Sequence, residues 1–262
     1  MLTHTLHSGF GADLGGSAQT IFQIIQTLGL TAGLQACCDA GDGASWAGSG
    51  NWLDVSGNAN DMTLNGLTFN GVVGNRSENE YFLVTGGSGY MSTPSSAYAV
   101  GFSKAGGEFT MGGIIRPIGA GNASFCGTAD SAADNGVLLR MEGVPNKLGA
   151  YWDIANAAGH SVSLGAGNTT AAVPNLGIFG GKDSTTSGKI KLNHQAIDTF
   201  VKTASALTNA PQNMACGAFG SGNQQLATNA RIYAFFCWNV LLSDANINAF
   251  ATALSARFPT MP

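Results

Sequence analysis

The densest supply of side chains that could do chemistry lies in an acidic segment between residues 39 and 61. Carboxylate and amide oxygens are the ligands that calcium prefers, so a group of them could hold a hard cation. The side chains concerned are Asp39, Asp42, Asp54, Asn58, Asn60 and Asp61. Asp and Asn also accept hydrogen bonds from backbone amides in turns. For Asp54 the sequence favours that structural role, because a Ser-Gly-Asn turn follows it and a calcium loop usually has more carboxylates. We therefore expect no cofactor, with calcium as the alternative.

Sugar recognition would need an aromatic ring face with polar donors and acceptors around it. The candidate aromatic residues are Trp46, Trp52, Tyr151 and Trp152, and Asn and Asp side chains could supply the polar groups. Each of them also fits the core or the edge of a sheet, and this packing role is the preferred interpretation. Surface glycans remain a candidate ligand.

A catalytic centre is harder to find. Glycoside hydrolysis uses two carboxylates about 5 to 9 Å apart. Glu78 and Glu80 alternate and could face one cleft, but they lie in a polar turn, where solvated charge is the simpler interpretation. The Gly-x-Ser-x-Gly elbow of serine hydrolases is missing. The sequence therefore predicts that the protein is not an enzyme, with a glycoside hydrolase as the least favoured alternative.

The composition excludes other classes of function. Only 10% of the 262 residues are charged, 44% are hydrophobic and 38 are Gly, with a net charge of −4. The 11 Lys and Arg residues are scattered, so a face that neutralises phosphates, and with it nucleic-acid binding, is not expected. The surface must be covered with Ser, Thr, Asn and Gly. Such a surface suits a protein that is packed into an assembly or that faces sugars.

The cysteines and the first residues of the chain indicate where in the cell the protein is made. The five cysteines are an odd number, lack Cys-x-x-Cys spacing and lie among apolar residues, as expected for small buried hydrophobic side chains made in a reducing cytosol. Residues 1–16 contain no Lys or Arg and no long apolar run, so we expect no secretory signal. Gln residues interrupt the apolar window at residues 21–38, so we expect no membrane span.

The N-terminal part divides into an arm and a helix. Residues 1–16 are rich in Gly and predict an arm, and Ser17 is a candidate N-cap. One apolar helix face, closed by Gly29, is formed by Ile21, Ile24, Ile25 and Leu28. This face could pack on its own domain or attach the protein to another subunit. We expect residues 1–33 to be an attachment or packing segment and residues 34–262 to be the main domain.

The main domain has the pattern of an all-β sandwich: short apolar runs separated by Gly, Asn, Ser or Asp. Residues 231–238 are almost continuously apolar and predict a central strand, whereas residues 189–192 alternate and predict a strand with one wet face. The other clear strands are predicted at residues 81–85, 109–116, 136–141, 148–153 and 176–180. A final helix is indicated by the helical spacing from Ile247 to Phe258, with Ser243 as its cap.

Two ends of the β region carry a resemblance. The opening segments, residues 34–42 and 52–61, read LQACCDAGD and WLDVSGNAND, and the closing segment, residues 231–247, reads RIYAFFCWNVLLSDANI. Together with a hairpin pattern at residues 181–193, these segments resemble the concanavalin A-like jelly-roll proteins, specifically the laminin-G-like (LamG) modules of bacteriophage and prophage proteins. The resemblance implies a two-sheet antiparallel jelly roll over about residues 34–259. For function it implies little, because one fold hosts many functions.

The first functional hypothesis is a non-enzymatic structural component of a phage virion, such as a capsid decoration, head fibre or tail-associated protein, assembled in the host cytoplasm. Its partners would be other virion proteins and further copies of itself, a trimer being one form, with weak adhesion to host surface glycans. The alternative is a dedicated carbohydrate-binding adhesin or receptor-binding module. Neither hypothesis involves nucleic acid or a membrane.

Overall fold

The computed structural model describes residues 18–262 apart from 87–88, 94–97, 103, 119–122, 130–135, 143–146, 153–169, 202–208, 211, 221 and 224. The predicted arm at residues 1–16 and the predicted cap Ser17 lie outside the described residues.

Besides a short 3₁₀ helix at Asp183–Thr185, two α-helices and fourteen strands occur within the described residues. They are α1 (Ile21–Thr27), β1 (Leu34–Asp39), β2 (Thr63–Asn65), β3 (Leu67–Asn70), β4 (Tyr81–Val84), β5 (Tyr90–Ser92), β6 (Glu108–Arg116), β7 (Ala123–Gly127), β8 (Val137–Glu142), β9 (Lys147–Trp152), β10 (Asn175–Lys182), β11 (Ser187–Leu192), β12 (Asp198–Val201), β13 (Ala215–Cys216), β14 (Arg231–Trp238) and α2 (Asp244–Ser255). All seven strands predicted from the sequence are present, within one or two residues at their ends.

The strands form two antiparallel sheets. One has eight strands. Seven follow the order β12-β11-β10-β6-β14-β4-β3, and the eighth, β1, pairs with β14 on the same edge as β4, opposite β6. The other has six, in the order β2-β5-β13-β7-β8-β9. The predicted fold, an all-β jelly-roll sandwich with a short helix near each end of the chain, is confirmed.

Strand β14 is central and buried on both faces. One face carries Ile232, Phe235 and Cys237 into the core between the sheets. The opposite face carries Tyr233, Phe236 and Trp238 into a second apolar cluster under the two helices. A strand that is covered on both sides needs apolar residues at successive positions, which explains its unbroken hydrophobic run. The prediction of a central strand is confirmed.

Helix α1 begins differently from the sequence prediction. Its N-cap is Thr20, whose side chain accepts a hydrogen bond from the amide of Gln23, while the Gln23 side chain accepts one from the amide of Thr20. This is a capping box, and the Thr-x-x-Gln spacing was its sequence signal. Gly29 follows the helix with φ +68, as predicted for a helix C-terminus.

The apolar face of α1 packs on the protein itself. Ile21, Ile24 and Ile25 are at most 3% exposed, and Leu28 packs at the edge of the same cluster, which also contains residues of β1, β14 and α2. Side chains buried in this way cannot attach another subunit without unfolding the helix from its domain. Of the two roles left open for this face, the contacts favour packing, with Ile21, Ile24 and Ile25 buried in the cluster under the sheet.

Helix α2 matches its prediction, with Ser243 as N-cap and with Ile247, Phe250, Ala251 and Leu254 buried. The wet face predicted for residues 189–192 is only partly correct. Lys191 is 3% exposed, and its ammonium group donates hydrogen bonds to the carbonyl of Gln195, at 2.6 Å, and to the side chain of Asn248 on α2, at 2.8 Å. Burial lowers the pKa of Lys191 below its ordinary value.

Candidate functional site

Asp39, the first of the acidic candidates, lies in the interior at the end of β1. Its carboxylate forms a two-pronged ion pair with Arg257, which follows α2, and neither side chain is more than 1% exposed. The same carboxylate accepts hydrogen bonds from the amides of Ile21, at 3.0 Å, and Gly41, at 2.9 Å. It therefore connects the first turn of α1, the end of β1 and the segment after α2. We call Asp39 and Arg257 the buried clamp.

Asp54 has the local role that its sequence context favours. One carboxylate oxygen accepts bonds from the amides of Cys37 and Ser56, at 2.8 and 2.9 Å. The other accepts bonds from the Ser56 hydroxyl and the Asn60 amide, at 2.8 and 3.0 Å. Four donors thus fix the turn and attach it to β1.

The remaining acidic candidates are used in the same way. Asp42 accepts a bond from the amide of Ala44, and Asp61 accepts one from the amide of Asp54. Within the described part of the chain, no three His, Cys, Asp or Glu side chains are grouped so that they could hold a metal ion. The four carboxylates of the acidic segment thus all accept hydrogen bonds from backbone amides, whereas the side chains of Asn58 and Asn60 donate to carbonyls of β1.

The four aromatic candidates do not form a sugar-binding platform. Trp46, Trp52 and Trp152 are at most 5% exposed, and Tyr151 is 8% exposed. Trp46 and Trp52 both pack edge-on against Phe82 in the core between the sheets. A ring in that position has no face free for a sugar, and Trp152 lies in the same core. Tyr151 packs in a smaller cluster, with the Arg140 guanidinium over its ring. These contacts favour the packing role that was preferred from the sequence.

The two glutamates considered for catalysis are held by other parts of the protein. Glu80 is 1% exposed and accepts bonds from the amide and the hydroxyl of Ser77, the Asn75 side chain and the amide of Val72. Burial favours a higher pKa for Glu80, but these hydrogen bonds outweigh it, and the pKa lies below its ordinary value. Glu78 accepts bonds from the amide and hydroxyl of Thr260, at 2.8 and 2.6 Å. The pair acts to fix the loop between β3 and β4.

A groove lies beside the buried clamp, between the start of α1, the end of α2 and the loop between β3 and β4. It consists of two adjoining cavities of about 280 and 380 Å³ that share Ala18, Ala256 and Arg257. We call it the Arg257 groove. The polar residues that line it are Gln19, Arg76, Ser77, Glu78, Asn79 and Arg257.

The groove is suited to binding through hydrogen bonds. Its wall carries the guanidinium of Arg76, the hydroxyl of Ser77 and the carboxylate of Glu78, whereas the guanidinium of Arg257 is engaged by Asp39. The larger cavity lies near the lower end of the range for small-ligand sites. Asn79 is exposed there. Sequence reasoning identified Glu78 but not the groove, because its walls come from segments that are far apart in the chain and meet only in the folded protein.

Helices of the described residues are all too short or too polar to cross a membrane. No family model and no curated protein matches this chain. Solved structures do match.

Three solved structures show the degree of likeness. A structure on the cell entry of botulinum neurotoxin type C, which depends on interaction with two ganglioside molecules, has a TM-score of 0.62 and 11% identity, over 87% of this chain and 53% of that one. The binding domain of botulinum neurotoxin DC in complex with SialylT has a TM-score of 0.60 and 12% identity, over 86% and 52%. Trypanosoma rangeli sialidase has a TM-score of 0.58 and 14% identity, over 86% and 33%.

These structures share the fold and little sequence with this chain. The chain spans about half the length of the toxin structures and about a third of the sialidase. At 11 to 14% identity, the likeness shows a common β-sandwich architecture.

Proposed function

We propose that this chain is a non-catalytic carbohydrate-binding module and that the Arg257 groove is its sugar site. The observation that carries the proposal is the groove itself: a cavity whose walls present hydrogen-bond donors and acceptors of several kinds, on a β-sandwich. Sugar hydroxyls both donate and accept hydrogen bonds, so they match such a wall.

Three further observations support the proposal. Solved proteins with this fold include one whose cell entry depends on gangliosides and one in complex with SialylT. The carboxylates of Glu78 and Glu80 are engaged by Thr260 and Ser77, which favours a positioning role over proton transfer to a substrate. The low charge content leaves a neutral polar surface, which suits uncharged polyhydroxyl ligands.

A glycan array probed with the full chain tests the proposal. The Asn79→Ala variant removes an exposed amide from the groove wall and leaves the hydrogen bonds of Glu78 and Glu80 in place. Because a lost hydrogen bond to a ligand costs about 1 kcal/mol, we expect binding to the best glycan to weaken about fivefold to tenfold. Calorimetric titration with that glycan measures the change.

Asn209→Ala is the matched control, because Asn209 is also an exposed asparagine and lies outside the groove. We expect this variant to bind like the parent chain. An array without binding, or equal weakening by both substitutions, contradicts the proposal.

A structural role in a phage virion is the second candidate function. It rests on the resemblance of residues 34–61 and 231–247 to phage-type LamG modules and on a charge content of only 10%. In this role the protein assembles in the host cytoplasm, contacts other virion proteins and further copies of itself, and displays the sandwich outward. Attachment would not use the apolar face of α1, because that face is buried in the protein's own cluster.

The virion role is tested by deleting residues 1–17 and keeping α1, since removing α1 would damage the cluster under the sheet. Mass spectrometry of purified particles should find the full chain and lose it after the deletion. Particles that lack the full chain contradict this role, and particles that incorporate the shortened chain equally well contradict attachment through residues 1–17.

A further inference from the structure

Two of the five cysteines face each other directly across neighbouring strands. Cys126 on β7 pairs in register with Cys216 on β13, inside the six-stranded sheet. Both side chains are fully buried and belong to the core between the sheets. Residues directly opposite each other on antiparallel strands direct their side chains to the same face, so the two sulfur atoms share one side of the sheet.

The hydrogen-bond pattern around the pair defines its geometry. The amide of Gly217, one residue after Cys216, donates to the carbonyl of Phe125, one residue before Cys126, at 2.8 Å. A bond in that position flanks a non-hydrogen-bonded pair, in which the Cα atoms are about 4.5 Å apart. Disulfides span Cα separations of about 4.4 to 6.8 Å. The backbone therefore holds these two cysteines at a distance that a disulfide can bridge.

The other three cysteines have no cysteine directly opposite them on a neighbouring strand. Cys37 faces the cluster under the helices, on the opposite side of the sheet from Cys38. Cys38 on β1 lies opposite Phe235, and Cys237 on β14 lies opposite Ala36, so these two cysteines are two positions out of register. Such diagonal neighbours have side chains about 7 to 8 Å apart, which is too far for a disulfide.

We propose that Cys126 and Cys216 are a specific cross-linking site, and that they form a disulfide when the chain folds in the presence of a small disulfide oxidant such as glutathione disulfide. One cysteine thiolate attacks a glutathione sulfur, releases one glutathione and forms a mixed disulfide. The second thiolate attacks the protein sulfur of that mixed disulfide and releases the second glutathione. Two cysteine thiols are oxidised, one glutathione disulfide is reduced to two thiols, and the two cysteine protons pass to the released thiolates.

The disulfide forms during folding and not in the folded protein. No oxidant reaches two fully buried sulfurs, and burial raises the pKa of both thiols, so the native pair is protonated and shielded. Once made, the bond joins two neighbouring strands of the six-stranded sheet across a long loop of the chain. It restricts the unfolded chain and should stabilise the sheet.

Refolding of the full chain tests the site. The denatured, reduced chain is refolded with glutathione disulfide and glutathione or, in parallel, with a reducing agent, and free thiols are then alkylated under denaturing conditions. Intact mass should show three alkylated cysteines in the oxidised sample and five in the reduced one. Proteolytic mapping should find one linked peptide pair, containing Cys126 and Cys216, and the oxidised sample should unfold at a higher temperature.

A matched pair of variants makes the assignment specific. Cys216→Ser should abolish the cross-link, and Cys38→Ser, which removes another buried thiol of the same core, should retain it. Five free thiols in the oxidised sample overturn the proposal, as does a cross-link between any other pair. Peptide mapping of the unsubstituted chain gives this answer even where a variant folds poorly.

Discussion

Asp39 and Asp54 are two aspartates of the same acidic segment, and the structure uses them in different ways. Asp54 is partly exposed and is held by donors that, apart from Cys37, lie within six residues of it. Asp39 is completely buried and is paired with Arg257, 218 residues away. One carboxylate fixes a local turn, and the other closes the fold. Similar sequence context therefore does not imply a similar contribution to stability.

Arg257→Leu should give the largest effect, because it leaves the Asp39 carboxylate buried without its counter-charge. Breaking a buried ion pair from one side costs about 3 to 5 kcal/mol. The free energy of unfolding, measured by urea denaturation, should fall by about that amount. As a control, Lys189→Leu removes one side of the more exposed ion pair with Asp244 and should cost less than about 1 kcal/mol. Equal costs for the two variants would remove the distinction between the buried clamp and a surface pair.

Asp54→Ala should have a smaller effect, about 2 kcal/mol, because three of the four donors it leaves behind belong to the partly exposed turn residues Ser56 and Asn60 and can bond to water. Urea denaturation measures this change as well. Asn58→Ala on the same turn serves as control, since its side chain is exposed and uncharged, and donates to the carbonyls of Leu34 and Gln35 and to the hydroxyl of Ser56. A loss for Asp54→Ala as large as that for Arg257→Leu would contradict the ranking of local and non-local carboxylates.

Glu80→Gln probes a third carboxylate, which is buried like Asp39 but is bonded locally like Asp54. We expect a loss of about 1 to 2 kcal/mol at neutral pH, from hydrogen bonds to a charged acceptor. The folded-state pKa lies below the ordinary value of 4.5, so this contribution is present above that value and is lost as the pH falls through the folded-state pKa. Unfolding measured between pH 7 and pH 3 should show the parent chain and the variant converging in acid. A gap that stays constant would contradict the role of the ionised form.

Ser243→Ala should give the smallest of these effects, about 1 kcal/mol, because it removes one N-cap hydrogen bond, to the amide of Asn246. Thermal unfolding monitored by circular dichroism measures it. Ser255→Ala, at the other end of α2, is the control and should be nearly neutral. A cap effect above about 3 kcal/mol would indicate that α2 contributes more to closing the fold than the clamp does.

What could be predicted from the sequence follows the same division into local and non-local features. Strand β14 and helix α2 were predictable because hydrophobic periodicity is written in consecutive residues. The role of Asp54 was predictable because most of its donors lie in the turn that follows it. The capping box of Thr20 and Gln23 was also present as a local signal, although the sequence reading placed the cap at Ser17.

Other features could not be predicted because they depend on distant contacts. No local pattern connects Asp39 with Arg257, or Lys191 with Asn248 on α2. The sequence around an aromatic residue such as Trp52 does not show whether its ring lies in the core or on the surface. The packing of the two sheets determines that position. The Arg257 groove was hidden for the same reason, since its walls meet only in the folded chain.

A double-mutant cycle between Asp39 and Arg257 tests most directly the claim that they form one clamp. Asp39→Asn, Arg257→Leu and the double variant are compared with the parent chain by urea denaturation at neutral pH. We expect the double variant to be more stable than the sum of the single losses predicts, by a coupling energy of about 2 kcal/mol or more. Losses that add to within about 0.5 kcal/mol would show that the two residues act independently, and would contradict the clamp.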